Sequence, residues 1–203
     1  MKLYYSPGAC SLAAHIVARE CGIPIALEKV DLATKRTQSG VDFFNINPKG
    51  NVPTLELDDG TILTEGPAIL QFLADSAPEA ELAPAHESMA RYRLQEWLAF
   101  INSDVHKSYS PLFNPATPAE VRAERQAALG KYYAWLEEIL TPQAWLLGNH
   151  FSAADAYLFT VTNWAPHVGV DLSHLPALTA FQQRVASRPH VRAALVAEGL
   201  VGG

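Results

Sequence analysis

The feature that most constrains the fold is a Pro-Gly turn that separates a short apolar stretch from an amphipathic one. Residues 3–5 favour a strand, whereas apolar residues from Leu12 to Cys21 recur at helical spacing until Gly22. Cys10 therefore lies at or just before the start of a predicted helix. Unpaired N–H groups and the helix macrodipole favour an anion there, which predicts a thiol pKa of about 3.5–7.5. Cys10 is a candidate nucleophile or redox centre; the alternative is a small buried apolar side chain, as for most free cysteines.

The two cysteines, Cys10 and Cys21, lie on the same predicted helix. At about 1.5 Å per residue their Cα atoms are roughly 16 Å apart, beyond the roughly 7 Å that a disulfide allows. We therefore expect both thiols to be free, as in a reducing compartment. Ala13 occupies the position where a C-x-x-C motif has its second cysteine, so a redox role of Cys10 would use one thiol only.

Composition and charge narrow the class of protein. The 203 residues are 49% hydrophobic and 18% charged, enough for one large domain or two small ones with cores of their own. The net charge of −6 and the lack of a block of like charges argue against nucleic acid and membranes as partners. The sequence has neither a signal-peptide core near its start nor a run of 18 apolar residues. We expect a soluble, cytoplasmic protein.

The first part of the chain reads as a βαβ unit followed by a hairpin. Residues 26–31 form a second predicted strand, which completes strand, helix and strand. The polar segment at residues 32–40 is interpreted as a loop. Residues 51–57 and 61–64 alternate around an Asp-Gly turn, the strongest short signal for a hairpin.

Residues on either side of this hairpin favour contact with a ligand. Pro53 begins the hairpin and cannot donate to a strand ladder, so it marks an edge or a cis turn that leaves its neighbours' backbone groups to another partner. An ordinary trans proline is the alternative. Glu65 opens a helix with Pro67 in its first turn, where both a negative charge and a proline are favourable.

A change of composition separates this part from the rest of the chain. Residues 76–85 contain two prolines and lack periodicity, which predicts a linker. Beyond it we find no convincing strand, and apolar periodicity predicts helices at residues 89–105, 121–139, 156–164, 178–187 and 191–200. The predicted domains are residues 1–77 and an all-helical domain at residues 86–203, joined by a linker at 78–85.

The third of these helices begins with a capping box. Ser152 and Asp155 fit the S-x-x-D pattern, and Phe151 can pack onto the helix as a hydrophobic staple. We interpret this motif as structural. Loss of the Ser152 cap is expected to cost about 1 kcal/mol of stability.

Together these motifs resemble the cytosolic glutathione S-transferases over essentially the whole chain. The resemblance rests on the βαβ-ββα half with Val52-Pro53 and Glu65, on the helical half, and on the G-x-x-F-S-x-A-D segment at residues 148–155. Residues 6–11 (Ser-Pro-Gly-Ala-Cys-Ser) and the pair His106-Lys107 are similar to the bacterial beta class, in which cysteine replaces the tyrosine or serine of other classes. The implied fold is α/β plus all-α: an N-terminal thioredoxin-like domain followed by an all-helical C-terminal domain.

The resemblance implies a glutathione site on the thioredoxin-like half. The cysteinyl backbone of glutathione would pair with Val52 before a cis Pro53. Glu65 would hold the α-amino group, and backbone N–H groups at Gly66 would meet the carboxylate. The implied binding set also includes Lys35, Asn51 and Lys107.

Gly66 and Lys35 of this binding set, and Ala99 outside it, each carry a qualification. Gly66 stands where relatives have a serine, and Ala99 stands where relatives often have an asparagine near the ligand of the partner subunit. The missing hydroxyl and amide are expected to weaken the site without abolishing it. Lys35 matches a family position that reaches the glycyl end of glutathione; a solvated loop lysine is the alternative.

His106 and Lys107 are implied to act on the sulfur. Taken alone, a histidine near a helix end is a surface or core residue, and no second histidine lies three or four positions away to suggest a metal. By the resemblance, His106 would approach Cys10 or the glutathione sulfur, donating a hydrogen bond or accepting a proton. Lys107 would add positive charge, and both effects stabilise a thiolate.

The implied function is a transferase that places glutathione thiolate against an apolar electrophile, in a pocket lined by Tyr109, Leu112 and Trp164. These three residues also fit a plain core. Cys10 would hydrogen-bond the glutathione sulfur or form a mixed disulfide with it. A glutathione-dependent monothiol disulfide reductase and a non-catalytic ligand-binding relative are the alternatives. The resemblance further implies detoxification, a homodimer, glutathione as co-substrate, and no cofactor or metal.

Overall fold

In a computed structural model of the protein, which describes residues 1–202, the N-terminal unit contains one five-stranded sheet. Its strands are β1 (Lys2–Tyr5), β2 (Ala26–Asp31), β3 (Arg36–Thr37), β4 (Thr54–Glu56) and β5 (Ile62–Thr64). They lie in the order β3-β2-β1-β4-β5. β1 and β2 are parallel and the other neighbours are antiparallel, because only β1 and β2 are joined by a helical crossover.

Helices α1 (Ser11–Glu20) and α2 (Gly66–Asp75) complete this α/β unit. α1 connects the two parallel strands and is buried from Ser11 to Ala18. α2 follows β5 and buries Ile69 and Leu73. The predicted thioredoxin-like arrangement, with its crossover and its hairpin, is confirmed.

Part of the segment that was interpreted as a loop is a short strand. Arg36 and Thr37 pair with Asp31 and Val30 of β2, and Phe43–Asn45 form a 3₁₀ turn. A strand of two residues is too short for the alternation of polar and apolar residues that identifies strands in a sequence.

The second compact unit extends from Pro84 to Ala186 and is built of helices. They are α3 (Met89–Phe100), α4 (Lys107–Tyr109), α5 (Ala119–Leu140), α6 (Ala153–Thr162) and α7 (Pro176–Ala186). A π-helical turn, Ile101–His106, separates α3 from α4. No helix within residues 1–202 combines the length and apolar character needed to cross a membrane.

The long helix predicted at residues 89–105 changes its hydrogen bonding after Phe100. The turn that follows is π-helical rather than α-helical. The Ser103 hydroxyl donates to the Ala99 carbonyl (2.9 Å), which in an α-helix accepts the backbone N–H of residue 103. A single π-helical turn is too short to alter the apolar periodicity of the whole predicted helix, so the sequence pattern did not reveal the change.

The last helix, α8 (Pro189–Ala197), groups by its contacts with the first unit, which comprises Met1–Ala83 and the chain from Ser187 onward. Glu198, just after α8, accepts hydrogen bonds from the backbone N–H of Gly8 and from His15, each at 2.9 Å. The side chains of His15 and Glu198 are both buried. These contacts hold the C-terminal helix to α1 and to the Pro-Gly turn. The predicted domain boundaries at residues 77 and 86 remain a prediction.

The predicted capping box at the start of α6 is confirmed. The Ser152 backbone N–H donates to Asp155 Oδ2 at 2.8 Å, and the reciprocal bond is present. Phe151 is buried, and its ring packs against Trp145 with the ring centroids 5.3 Å apart. The motif therefore organises the start of α6, as the structural interpretation predicted.

Candidate active site

Cys10 lies beside the residue that precedes the hairpin proline. It is the N-cap of α1, and its thiol donates a hydrogen bond to the Val52 carbonyl with an Sγ–O distance of 3.1 Å. The Val52–Pro53 peptide bond is cis, one of the two alternatives that the sequence left open. The fold thus places Cys10 beside the Val52-Pro53 segment, and both were candidates from the first half of the sequence.

The turn before Cys10 is fixed by local hydrogen bonds. Ser11 Oγ accepts from the Ser6 backbone N–H and lies at the same distance, 3.2 Å, from the Ser6 carbonyl oxygen. Gly8 has a φ of +70°, and a Cβ atom at this position would lie 3.3 Å from the Leu200 side chain. Glycine therefore suits both the backbone conformation and the close approach of the C-terminal segment.

The prediction of a lowered thiol pKa for Cys10 is wrong. Burial raises the pKa of Cys10 to about 12, and the carboxylate of Glu65 adds to the increase. Hydrogen bonds from the backbone N–H groups of Cys10 and Ser11 act in the opposite direction but are outweighed. The sulfur is a protonated donor to Val52, as the geometry of that bond requires. Both cysteines are free, as predicted.

Hydrogen bonds of a buried asparagine and apolar packing hold the segment that carries Val52 in place. Asn47, which is buried, donates from Nδ2 to the Asn51 carbonyl (2.9 Å) and to Thr54 Oγ1 (2.9 Å). The Val52 side chain packs in a buried cluster with Tyr4 and others of the first unit. The side chain of Asn51 is exposed, while its carbonyl is used inside the segment.

Glu65 is the residue immediately before α2. Its φ is +73°, and its side chain is 63% exposed. The carboxylate forms a short ion pair with Lys49, whose ammonium also donates to Thr64 Oγ1 at 2.7 Å. Gly66 is the first residue of the helix. Lys49 could not be identified from the sequence, since no local pattern links it to Glu65, 16 positions away.

Lys35 is used within the same unit. Its ammonium donates to the Gly50 carbonyl at 2.9 Å, so it tethers the loop before Val52. Its φ of +56° is unusual for a residue with a side chain. Neither observation places Lys35 against a ligand, and its binding role remains a prediction.

His106 ends the π-helical turn of the second unit. Its Nδ1 lies 2.7 Å from Tyr157 Oη, and the Tyr157 hydroxyl donates to Asn102 Oδ1 at 3.0 Å. Burial lowers the pKa of His106 to about 4, and the neighbouring Lys107 charge adds to this effect. The imidazole is therefore neutral at pH 7. Lys107 itself is exposed. Neither Asn102 nor Tyr157 was predicted as a site residue, because their contacts with His106 depend on the fold.

An aromatic cluster adjoins His106 in the second unit. The Trp164 ring packs edge-on against the imidazole, with the centroids 4.9 Å apart, and against Tyr109 at 5.5 Å. Tyr109 and Leu112 are buried, and Tyr109 Oη pairs with a second buried tyrosine at 2.8 Å. Phe113, which was not among the predicted site residues, contacts Trp164 and is 51% exposed. Of this cluster Phe113 therefore offers the largest apolar surface to a bound molecule.

The candidate residues fall into two groups, each within its own compact unit. One group surrounds Cys10, Val52 and Glu65, and the other surrounds His106 and Trp164. Among residues 1–202, no three histidine, cysteine, aspartate or glutamate side chains are grouped as metal ligands.

Comparison with known proteins gives matches along nearly the whole chain. Residues 8–76 match the family model for the glutathione S-transferase N-terminal domain, and residues 97–189 match the model for the C-terminal domain. Glutathione S-transferase GstA of Escherichia coli O157:H7 is 50% identical over 200 residues, which cover 98% of this chain and 100% of that protein.

Two solved glutathione S-transferase structures are similar to this chain in both fold and sequence. A sphingomonad glutathione S-transferase complexed with glutathione superposes with a TM-score of 0.96 and 48% identity, covering 99% of this chain and 100% of that one. The bacterial beta class glutathione S-transferase of Sphingomonas chungbukensis gives a TM-score of 0.96 and 47% identity over the same shares of the two chains.

Proposed function

The chain belongs to the bacterial beta class of the glutathione S-transferase family, and we propose that it transfers the thiolate of glutathione to apolar electrophiles. That it is a glutathione transferase follows from the family; the substrates and the residue roles are the proposal. The observation that carries the proposal is the 3.1 Å hydrogen bond between Cys10 and the carbonyl of Val52. It sets a cysteine at the start of a helix beside a backbone segment suited to a peptide ligand.

Glutathione is proposed to bind as an added strand beside Val52. The backbone of Val52 is preceded by an exposed Asn51 and followed by a proline, which cannot donate to a ladder. Pairing of the cysteinyl backbone with Val52 is strand addition, in which main-chain hydrogen bonds supply affinity. The buried packing of Val52 and the amide of Asn47 keep the segment in one conformation, so little entropy is lost on binding.

The α-amino group of glutathione is proposed to bind Glu65. The carboxylate is largely exposed and is accompanied by the Lys49 ammonium. An incoming ammonium would share the carboxylate with Lys49, since ionised carboxylates accept several hydrogen bonds. Backbone N–H groups at Gly66 are placed at a helix start, where the γ-glutamyl carboxylate is favoured.

We expect the Glu65→Gln variant to bind reduced glutathione about tenfold more weakly, because a charge-assisted hydrogen bond becomes a neutral one. Isothermal titration calorimetry measures the dissociation constant. Glu81→Gln is the matched control, since Glu81 is also an exposed glutamate with a positive φ in the same unit. Equal affinity for wild type and Glu65→Gln would contradict the assignment of Glu65. A wild-type protein that binds no glutathione would overturn the proposed function itself.

The remaining binding residues are proposed in supporting roles. Lys35 holds the Gly50 carbonyl and so supports the loop before Val52, in addition to the glycyl contact that the resemblance implies. Lys107 is exposed and contributes positive charge near His106. The hydroxyl that relatives supply at position 66 is absent, so a backbone N–H alone serves the carboxylate.

Cys10 and His106 are proposed to act on the sulfur of glutathione. Cys10 carries its proton in the free protein, so it acts as a hydrogen-bond donor to the thiolate rather than as a nucleophile of its own. His106 is neutral at pH 7 and accepts the thiol proton. The thiolate then attacks the electrophile. Trp164 and Phe113 offer apolar surface for that second substrate, with Tyr109 and Leu112 behind them.

The reductase alternative needs Cys10 as a thiolate, because the thiolate attacks a disulfide. A pKa of about 12 leaves very little thiolate at neutral pH and favours the transferase reading. Mixed-disulfide formation at Cys10 remains a proposal for the oxidised state.

We also propose that the protein is a homodimer, with a second copy covering apolar side chains on α3 and α5. Met89, Tyr92 and Trp135 are 71%, 60% and 44% exposed, and Trp135 stacks on Trp97 with the centroids 5.3 Å apart. Large apolar side chains that stay exposed on two helices in contact favour an interaction surface there.

Sedimentation equilibrium is expected to give twice the chain mass at micromolar concentration. Tyr92→Glu is expected to shift the protein toward the monomer, because it would bury a charge in the interface. Leu32→Glu, at an exposed apolar residue in the other unit, is the control and is expected to leave the mass unchanged. A monomeric wild type would contradict the proposal.

A further inference from the structure

Two hydrogen bonds in series join His106 to Asn102 through the hydroxyl of Tyr157. The Tyr157 hydroxyl donates to Asn102 Oδ1 at 3.0 Å, and its oxygen lies 2.7 Å from His106 Nδ1. A hydroxyl has a single proton, so an oxygen that donates to Asn102 can only accept from His106. Nδ1 of His106 must therefore carry a hydrogen.

This arrangement also determines the protonation state of the other ring nitrogen, Nε2. A neutral imidazole has one N–H, so Nε2 of His106 holds a lone pair. Burial and the charge of Lys107 keep the pKa of the ring near 4, so the neutral form is the one present at pH 7. Nε2 has no hydrogen-bond partner in residues 1–202, and it is therefore available to a substrate proton.

The surrounding structure restricts the movement of Asn102, Tyr157 and His106. Asn102 and His106 both belong to the π-helical turn, four positions apart, and the Tyr157 hydroxyl contacts both. Tyr157 comes from α6 and is 2% exposed. The Trp164 ring lies edge-on to the imidazole and limits its rotation.

We propose that Tyr157 and Asn102 are positioning residues that hold His106 in the Nδ1–H tautomer and so present Nε2 as the proton acceptor of the transferase reaction. This inference rests on the proposed function, in which His106 takes the thiol proton of glutathione. In that step the S–H bond breaks, its electron pair stays on sulfur as the thiolate, and the proton binds Nε2. The imidazolium keeps its Nδ1–H bond to Tyr157 and later releases the Nε2 proton to the leaving group or to water.

The tautomer is measured by nuclear magnetic resonance on protein with ¹⁵N-labelled histidine, without any substrate. Wild-type His106 is expected to give the Nδ1–H pattern. Tyr157→Phe removes the acceptor of that hydrogen, and Asn102→Ala frees the hydroxyl proton to turn toward Nδ1. Both variants are therefore expected to shift His106 to the Nε2–H form, and Asn102→Ala does so with Tyr157 still in place.

Activity supplies the second readout. The kcat for conjugation is expected to fall about tenfold in both variants, with the KM for glutathione within about twofold of wild type, because only the proton acceptor changes. Asn102→Asp keeps an acceptor for the Tyr157 hydroxyl and is expected to retain the Nδ1–H form and most of the activity. Tyr133→Phe removes a buried hydroxyl that pairs with Tyr109 instead, and it controls for the loss of a buried hydrogen bond.

His15 provides an internal control in the same spectra. Its Nε2 accepts from Arg19 at 2.8 Å and its Nδ1 lies 2.9 Å from Glu198, so its signals should not change in any variant. The proposal is overturned if wild-type His106 is the Nε2–H tautomer, or if it stays Nδ1–H in Tyr157→Phe and Asn102→Ala. Because the spectra need no turnover, an inactive wild type with the expected tautomer would count against the proposed function and not against the positioning role.

Discussion

The Asp155→Ala variant is expected to lose about 3–5 kcal/mol of the free energy of unfolding at pH 7. Asp155 accepts hydrogen bonds from the Leu146 backbone N–H (2.8 Å) and from the backbone N–H and hydroxyl of Ser152 (2.8 and 2.6 Å). All three residues are buried, so the alanine variant leaves three donors without a partner and without access to water. Each such donor costs roughly 1–3 kcal/mol. A loss of this size is a large part of the about 5–15 kcal/mol that stabilises a typical domain.

Chemical denaturation followed by circular dichroism measures the difference. Asp171→Ala is the matched control, because Asp171 also accepts a backbone N–H, from Ser173 at 2.9 Å, but is exposed to water. Its unfolding midpoint is expected to stay close to that of wild type. Ser152→Ala, which leaves the carboxylate and the backbone bonds in place, should fall between the two. A loss below about 1 kcal/mol for Asp155→Ala would contradict the account of the capping box.

Cys10 is expected to react with iodoacetamide about a thousandfold more slowly at pH 7 than an ordinary cysteine. Only the thiolate is alkylated, and a pKa of about 12 leaves a far smaller thiolate fraction than the usual pKa of about 8.5. The rate should therefore rise roughly tenfold per pH unit and still be rising at pH 10. A Cys21→Ser background isolates Cys10, and mass spectrometry of the intact protein follows the reaction.

Cys10→Ser leaves Cys21 as the comparator. Burial raises the pKa of Cys21 to about 11, so this variant should be alkylated faster than the Cys10-only protein. A plateau of the Cys10 rate below pH 9 would contradict the raised pKa.

Oxidised glutathione tests the reductase alternative. In that reaction the Cys10 thiolate displaces one glutathione thiolate and forms a mixed disulfide with the other glutathione. If Cys10→Ser keeps full conjugation but loses this exchange, the reductase function is favoured.

Local sequence signals predicted most of the fold because each is read from neighbouring residues. The periodicity after Leu12 predicted the helical crossover, and the Asp-Gly turn at residues 59–60 predicted the hairpin. The strand order and the pairing of β4 with β5 agree with both predictions. The Ser152–Asp155 box is equally local. The strand at Arg36–Thr37 and the π-helical turn were missed, because each is too short to change the periodicity that a sequence pattern shows.

The site was predicted less completely because its properties depend on contacts distant in the sequence. Helix position alone suggested a low pKa for Cys10, but the desolvation that raises it comes from the packing of the folded unit. The pairing of Lys49 with Glu65 depends on the fold in the same way, and so does the contact of Tyr157 with His106. Sequence spacing alone did not predict that Cys10, Val52 and Glu65 are neighbours. That prediction came from the resemblance to a family.

The bond between Gly8 and Glu198 joins residues 190 positions apart, which imposes an order on folding during synthesis. The strands and helices of residues 1–83 leave the ribosome early and begin to fold first. The Pro-Gly turn beside Cys10 acquires its buried acceptor only after residue 198 has emerged. The first unit is thus completed only after residues 84–186 have also been made, and until then the turn beside Cys10 lacks its buried acceptor.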